Sequence, residues 1–486
     1  MSNTVKNALL ALAMGIGLTA GGCSTVSDQL DKVNPFDKSE AQKKKEQGDV
    51  AGDTDRISIL ELDETLSVTG TISTDQIVLP DAYINTDWPQ MGGNSTHAAQ
   101  RTAADGSLEK VWSRDIGKGS ARKSRVVASP IVAGDNIYVM DGNGGVRSYN
   151  AQSGERNWEY KVKVQEKRKT RRGRTGIIDT IRDPLSITDG SGKDKEGVGG
   201  GIAFASGKIF VSSGLGLMVA LDAETGTEVW RKRTRTPLHS APTVSNGRAF
   251  AVSDDNELFA FNANTGEVIW TYQGIIESAR MLTAPAPAVL EDVVIAPFSS
   301  GELVALRVQN GGVLWQDSLF SSGRLTPLAS LNDIASGPVI VDGYVLATAQ
   351  SGVISAFDLR TGQRIWTQPA GSLGFPIVAG DFVYTVTTNG EVACISKLDG
   401  SVVWIQKLQA YKNEKKRKKR IAWAGPVFAG DRLIVVSSRG KGLAIDPYSG
   451  AIMSEFKVGG DVFVSPIIAN ETLYVLTDKA KLLALR

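Results

Sequence analysis

Ala220-Leu221-Asp222-Ala223-Glu224-Thr225-Gly226-Thr227-Glu228-Val229-Trp230 decides the fold of this chain, because its phrase returns again and again. A hydrophobic run leads to Asp or Asn, two variable residues, Thr or Ser, Gly, three variable residues and Trp. Further copies, some looser, end at Trp158, Trp270, Trp315, Trp366 and Trp404. A degenerate copy, Ile445-Asp446-Pro447-Tyr448-Ser449-Gly450, has Ser454 where Trp would fall, and Trp112 stands with no phrase before it. Successive markers lie 46, 72, 40, 45, 51, 38 and 50 residues apart. Spacing of that size marks an array of supersecondary units.

The unit is clearest from Gly337 to Trp366. Gly337 to Val341 is a short apolar strand, Asp342-Gly343 a turn, Tyr344 to Thr348 a second strand and Ser351-Gly352 another turn. Val353 to Phe357 is a third strand, and Gln363 to Trp366 opens a fourth. Short alternating runs cut by Asp-Gly and Ser-Gly are hairpin signals. In the Asp-x-x-Thr-Gly link, Gly supplies the positive φ while Asp and Thr side chains hydrogen-bond the turn backbone. One such sheet cannot bury both faces, but sheets stacked radially can, with the outer-strand Trp wedged between neighbours.

The chain ends fix the number of blades. Thr472 to Thr477 and Lys481 to Leu485 are inner strands, whereas Leu108 to Trp112 is a Trp strand with no inner strands ahead of it. Together they complete one blade; an open solenoid would leave the Trp112 strand unexplained. The expected fold is all-β: an eight-bladed propeller of four-stranded antiparallel blades over residues 108–486, closed by its terminal strands. Trp112, Trp158, Trp230, Trp270, Trp315, Trp366 and Trp404 are the expected blade-docking residues.

The first residues read as targeting. Lys6 precedes an apolar stretch from Ala8 to Leu18, too short to span a bilayer. Thr19-Ala20-Gly21-Gly22-Cys23 resembles the bacterial lipoprotein processing box, which implies a signal peptide over 1–22 and a lipid on Cys23. Ser24 after the Cys resembles the pattern for an outer-membrane anchor on the periplasmic face. Residues 23–60 are polar and charged and read as a flexible tether. Residues 61–107, with weak strand character at 57–63 and 76–79, read as an extension lying against the propeller. With only Cys23 and Cys394 in the chain, lipidation of Cys23 leaves no disulfide, and Cys394 reads as a buried apolar filler.

The Trp phrase resembles the docking repeat of quinoprotein alcohol dehydrogenases, whose eight-bladed propellers hold pyrroloquinoline quinone. Their vicinal Cys-Cys ring and calcium site have no counterpart here, and the chain has two histidines, His97 and His239. His239 opens a blade and reads as structural, and the loop Asp189 to Glu196 lacks the order of a calcium loop and carries lysines. The hairpin pair Gly214 and Gly216 does not suggest nucleotide binding. No metal, cofactor or catalytic residue is expected, since a shared fold does not transfer a reaction.

Lipobox, tether, Trp-docking blades and missing quinone apparatus together resemble the BamB-type outer membrane protein assembly factors, in a long-tethered form like that of α-proteobacteria. The resemblance implies a non-enzymatic lipoprotein scaffold of the β-barrel assembly machinery. It would bind the POTRA domains of a BamA-type barrel protein beside other subunits and aid unfolded outer-membrane clients. It carries partner contact onto Arg280 and Asp333, with Ala335 where a second acid would stand. The rival class is a periplasmic quinone-dependent dehydrogenase, and a third is a glycan-binding propeller.

Arg280 and Asp333 lie in connections between blades, which all emerge on one rim, opposite the Asp-x-x-Thr-Gly turns. The two large insertions, 161–200 and 408–422, emerge there too. Lys161 to Arg174 holds eight Lys or Arg against one Glu, and Lys412 to Arg420 seven against one. With 54 basic and 52 acidic residues overall, the positive charge is local. It suits an anionic partner or a solvated loop; the export signal argues against nucleic acid.

Overall fold

The computed structural model describes residues 65–122, 124–163, 199–277, 285–320 and 332–486. Cys23, the tether, Arg280 and most of the 161–200 insertion lie outside them. The described residues form eight four-stranded antiparallel sheets and one two-stranded hairpin. The first blade runs Ile131–Ala133, Asn136–Met140, Gly145–Asn150 and Arg156–Lys161, and six more follow the same neighbour order. The eighth takes Ile467–Ala469, Thr472–Leu476 and Lys481–Leu485 from the end of the chain and Lys110–Asp115 from before the first blade. Trp112 pairs with Ala484 and Asp115 with Lys481 across this seam. The 76–79 stretch is not a strand: Gln76 ends a 3-10 turn, Thr74–Gln76, and Ile77 to Leu79 join no ladder among the described residues.

The docking phrase works through two contacts at once. Each Trp indole donates to a carbonyl of the next blade: Trp112 to Ala151 at 3.1 Å, Trp158 to Ala223 at 3.0 Å and Trp230 to Ala263 at 3.1 Å. Trp270, Trp315, Trp366 and Trp404 do the same to Val308, Leu359, Lys397 and Pro447. The ring then lies on the Gly of the next blade's phrase. A Cβ on Gly226 would stand 2.5 Å from Trp158, and one on Gly362 2.6 Å from Trp315. Gly is therefore required twice over, for its φ near +70° and for the absence of a side chain under the indole. Asp222 completes the turn, its carboxylate accepting from the Thr225 amide at 2.8 Å and hydroxyl at 2.7 Å.

The seventh-to-eighth joint has no such ring, because Ser454 is exposed there. The segment just before the seam strand fastens it instead. Arg432 donates to the carbonyls of Ala104 at 2.9 Å and Gly106 at 2.8 Å, and Arg101 ion-pairs with Asp431. Arg432→Ala should therefore lower stability by about 1.5–3 kcal/mol, the range for hydrogen bonds from a charged donor. A urea midpoint measurement checks it, with an exposed Arg such as Arg439 as control.

Residues 78–102 cross one end of the central channel and touch the inner strand of every blade in turn. Trp88 exchanges both backbone hydrogen bonds with Val132, at 2.8 and 2.9 Å, and the Pro89 carbonyl accepts from Phe204 at 2.7 Å. The Gln90 amide side chain exchanges two bonds with Val244. Ser95 and Thr96 carbonyls accept from Val289 and Ile340, Thr102 from Gly430, and Asn85 from Asn470. At the sixth blade, a Cβ on Gly380 would lie 3.0 Å from the Val78 carbonyl, so the two backbones pass close there without a hydrogen bond among the described residues. These contacts lie where each inner strand runs into its first turn. The plug thus closes the face of the Asp-x-x-Thr-Gly turns, and among the described residues the opposite mouth has no such plug.

Candidate functional site: the open rim and its funnel

Up-and-down blades send the connections between blades to one mouth, so the rim is built from segments outside the four-stranded ladders. One of them, between the sixth and seventh blades, folds into a hairpin of Tyr411–Asn413 and Lys418–Arg420. Its single acid, Glu414, is engaged within the turn, accepting from the amides of Ala410 at 3.1 Å and Tyr411 at 3.0 Å. The Trp423 indole pins the base by donating to the Gln409 carbonyl at 2.9 Å. Residues 412–420 are all exposed, and none of their seven Lys and Arg forms an ion pair among the described residues. Arg417 and Lys419 hold positive φ, 45° and 61°, in a hairpin that keeps like charges together.

Asp333 does not project from the rim. It is only 3% exposed, flanked by the buried Ile334, Ala335 and Ser336, and its carbonyl accepts from the Gln350 amide at 2.9 Å. Sequence position placed it on a connection, and the connection runs inward between the fourth and fifth blades. The acid beside it that the resemblance calls for is Ala335, which lines the funnel.

The funnel is an apolar cavity of about 360 Å³. Trp88 and Met91 of the plug are among its lining residues, with Phe375, Trp423, Phe463 and Pro466 from the connections. Its charged lining residues are Arg125 and Asp478. Pyrroloquinoline quinone would bring three carboxylates into this space, and the residues present do not fit it: the lining holds a single cation, Arg125, together with Asp478, among mostly apolar side chains. Among the described residues no group of three or more His, Cys, Asp or Glu could hold a metal ion.

The two histidines and Cys394 are buried. His239 is buried in the connection into the third blade, Nδ1 3.5 Å from Asp254 Oδ1, with its amide donating to Val252 at 3.2 Å. Burial pushes the Cys394 thiol up to about 12, so it holds its proton and is no nucleophile at neutral pH. His97 sits in the plug, with Nδ1 2.7 Å from the Pro338 carbonyl and its ring edge-on to Phe375 at 4.9 Å. A set of residues not anticipated from sequence shares the docking work. Tyr138, Tyr384 and Tyr474 donate to the same carbonyls as Trp158, Trp404 and Trp112, namely Ala223, Pro447 and Ala151. The signal was present: each Tyr is the third residue of its second strand, facing the Trp two strands away.

Fold and face define a class: docking-tryptophan propellers of the quinoprotein type, with one end plugged and the loops gathered at the other. The sequence matches the family described as "Outer membrane protein assembly factor BamB" over residues 90–183, 183–406 and 410–486, and the chain belongs to that family. Among similar proteins, the outer membrane protein assembly factor BamB of Yersinia pestis is 25% identical over 370 residues, 76% of this chain and 86% of that protein. That of Moranella endobia is 24% identical over 368 residues, 76% of this chain and 87% of that one. The crystal structure of BamB from Moraxella catarrhalis superposes with a TM-score of 0.61 at 18% identity, covering 78% of this chain and 99% of that one. A europium-containing methanol dehydrogenase gives 0.59 at 15% identity, covering 80% and 89%, so the fold alone is common to assembly factors and dehydrogenases.

Proposed function

We propose that this chain is a non-enzymatic scaffold of the outer-membrane β-barrel assembly machinery, held by a lipid on Cys23 at the periplasmic face. Its open rim docks on the POTRA domains of a BamA-type barrel protein and aids insertion of unfolded outer-membrane clients. The observation that supports this reading is the asymmetry of the two faces. The plug occupies one, while the described parts of the connections between blades, Asp333 among them, belong to the other; in this reading the connection that carries Arg280 emerges there too. Variable loops on a rigid frame are where binding resides. In this proposal Arg280 makes the polar contact, and the buried Asp333 holds its connection in the shape the partner meets.

A tagged pulldown from gently solubilised membranes tests it. Wild type should recover a barrel protein, and Arg280→Ala should reduce recovery tenfold or more, the scale of an Arg hot spot worth about 2 kcal/mol. Asp333→Ala should reduce recovery together with the melting temperature, as a buried positioning residue would. Wild type recovering no assembly subunit would end the scaffold reading. Quinone-dependent dye reduction by the purified protein would revive the dehydrogenase.

A further inference from the structure

We propose that the funnel binds a single-chain anionic amphiphile, its acyl chain in the cavity and its head group at the cationic mouth. The cavity is closed at one end. Trp88, Met91 and Gly92 of the plug are among its lining, and that plug is hydrogen-bonded to seven of the eight blades. Its walls come from the connections around 120–129, 373–377, 422–427 and 463–467. At about 360 Å³ it falls within the roughly 300–1,000 Å³ range of small-molecule sites.

Polarity selects the occupant. A peptide entering this space would bring an N–H and a C=O per residue, each needing a partner once water is gone. Besides the two indoles, the polar side chains of the lining are Ser120, Ser129, Ser465, Arg125 and Asp478, and Ser120 already accepts from the Val126 amide. Scattered among apolar walls, these are too few to pair the backbone of a strand. A hydrocarbon chain asks for nothing but apolar contact and suits Phe375, Ile377, Val427 and Pro466.

Charge at the mouth selects the head group. Arg125 is an exposed lining residue and has no ion-pair partner among the described residues. Ala422 and Trp423 of the wall are the foot of the basic hairpin, which carries seven further cations against one acid. Asp478 is the one carboxylate in the lining, so the field at the opening is positive and favours an anion. Two large apolar side chains of the lining stay exposed, Leu373 at 43% and Phe463 at 54%. They would cover the part of a chain nearest its head.

The test uses the full chain with dodecanoate, decanoate and dodecyltrimethylammonium, each below its micelle concentration. Calorimetry and the fluorescence of Trp88 and Trp423 report binding. Dodecanoate should bind saturably at one per chain and about fifteenfold tighter than decanoate, the factor two buried methylenes supply. The cation should bind at least tenfold more weakly. Val464→Trp, which fills the cavity from a half-buried wall position, should abolish binding with the blade melt retained. Arg125→Glu should weaken the anion and leave the cation no weaker. Affinity independent of chain length or of head-group sign would overturn the proposal, as would unchanged binding by a folded Val464→Trp protein. Displacement of dodecanoate by an equimolar extended apolar peptide would assign the funnel to peptide and overturn it equally.

Discussion

Trp404→Ala is expected to lower the free energy of unfolding by about 3–5 kcal/mol, the usual cost of deleting a buried indole. The indole is buried between the sixth and seventh blades and donates to the Pro447 carbonyl at 3.1 Å. Tyr384 places its hydroxyl on that same carbonyl at 3.1 Å, with its ring 5.9 Å from the Trp. Under the ring lies Gly450, which has no side chain to move into the void, so collapse around the cavity is limited. Gly450→Ala is the converse experiment. Its Cβ would stand 2.6 Å from the indole, at a φ of +75°. Overpacking and left-handed strain together should cost about 2–4 kcal/mol. In the double variant the added methyl occupies part of the space the indole left. The two costs should therefore fall short of additive, and a urea-denaturation cycle reads the difference. A loss below about 1 kcal/mol for Trp404→Ala would mean that the inner strands hold the ring together without the docking contact.

The docking pair also explains why so much of the fold was legible. A Trp and a Gly separated by three residues recur because each Gly receives the Trp of the blade before it, so the sequence period is the period of the joints. Strand ends differ from the sequence reading by a residue or two: Val339–Val341 begins later than expected, and Tyr344–Ala349 runs one residue longer. Terminal closure followed from the unpaired Trp112 strand for the same reason. The tyrosines were less visible, because three blades use Tyr at that position while others place Phe210 or Phe250 there, and only Tyr can reach the carbonyl.

The plug was beyond sequence reasoning in its detail. It meets eight different inner strands through backbone carbonyls, amides and single side chains, so it has no period and no composition of its own. The rim shows a similar divide. Its cations could be counted in the sequence, but that Lys412 to Arg420 forms a hairpin depends on Glu414, which looked like a lone acid in a basic run. Burial of Asp333 depends on the packing of the fourth and fifth blades around one connection, which spacing does not encode. Arg280 lies outside the described residues.

Acidification from pH 7 to pH 4 should cost the wild type about 3 kcal/mol more stability than a His97→Gln variant. Burial holds the His97 imidazole down at about 4, against an ordinary value of 6.5. The ring is only 1% exposed, it meets Phe375 and the Pro338 carbonyl, and among the described residues Nε2 has no hydrogen-bond partner that would accept from it once protonated. Between pH 6.5 and 4 the unfolded chain takes up a proton at this position that the folded chain refuses, so stability rises with pH across that window. It is complete above 6.5 and lost as pH falls toward 4. The carboxylates held low by their turns act in a different range. Asp222 and Asp358, hydrogen-bonded to Thr225 and Thr361, contribute above the ordinary aspartate value of 3.8 and lose that only below it. Urea midpoints at pH 7, 6, 5 and 4 for wild type and His97→Gln separate the two. Parallel curves for the two proteins from pH 7 to 4 would show that the plug admits a charged imidazole. Because His97 joins the plug to the fifth blade through the Pro338 carbonyl, protonation should loosen the floor of the funnel before the blades melt. Accordingly, Trp88 fluorescence, read against variants lacking other indoles, should shift at a higher pH than the global transition.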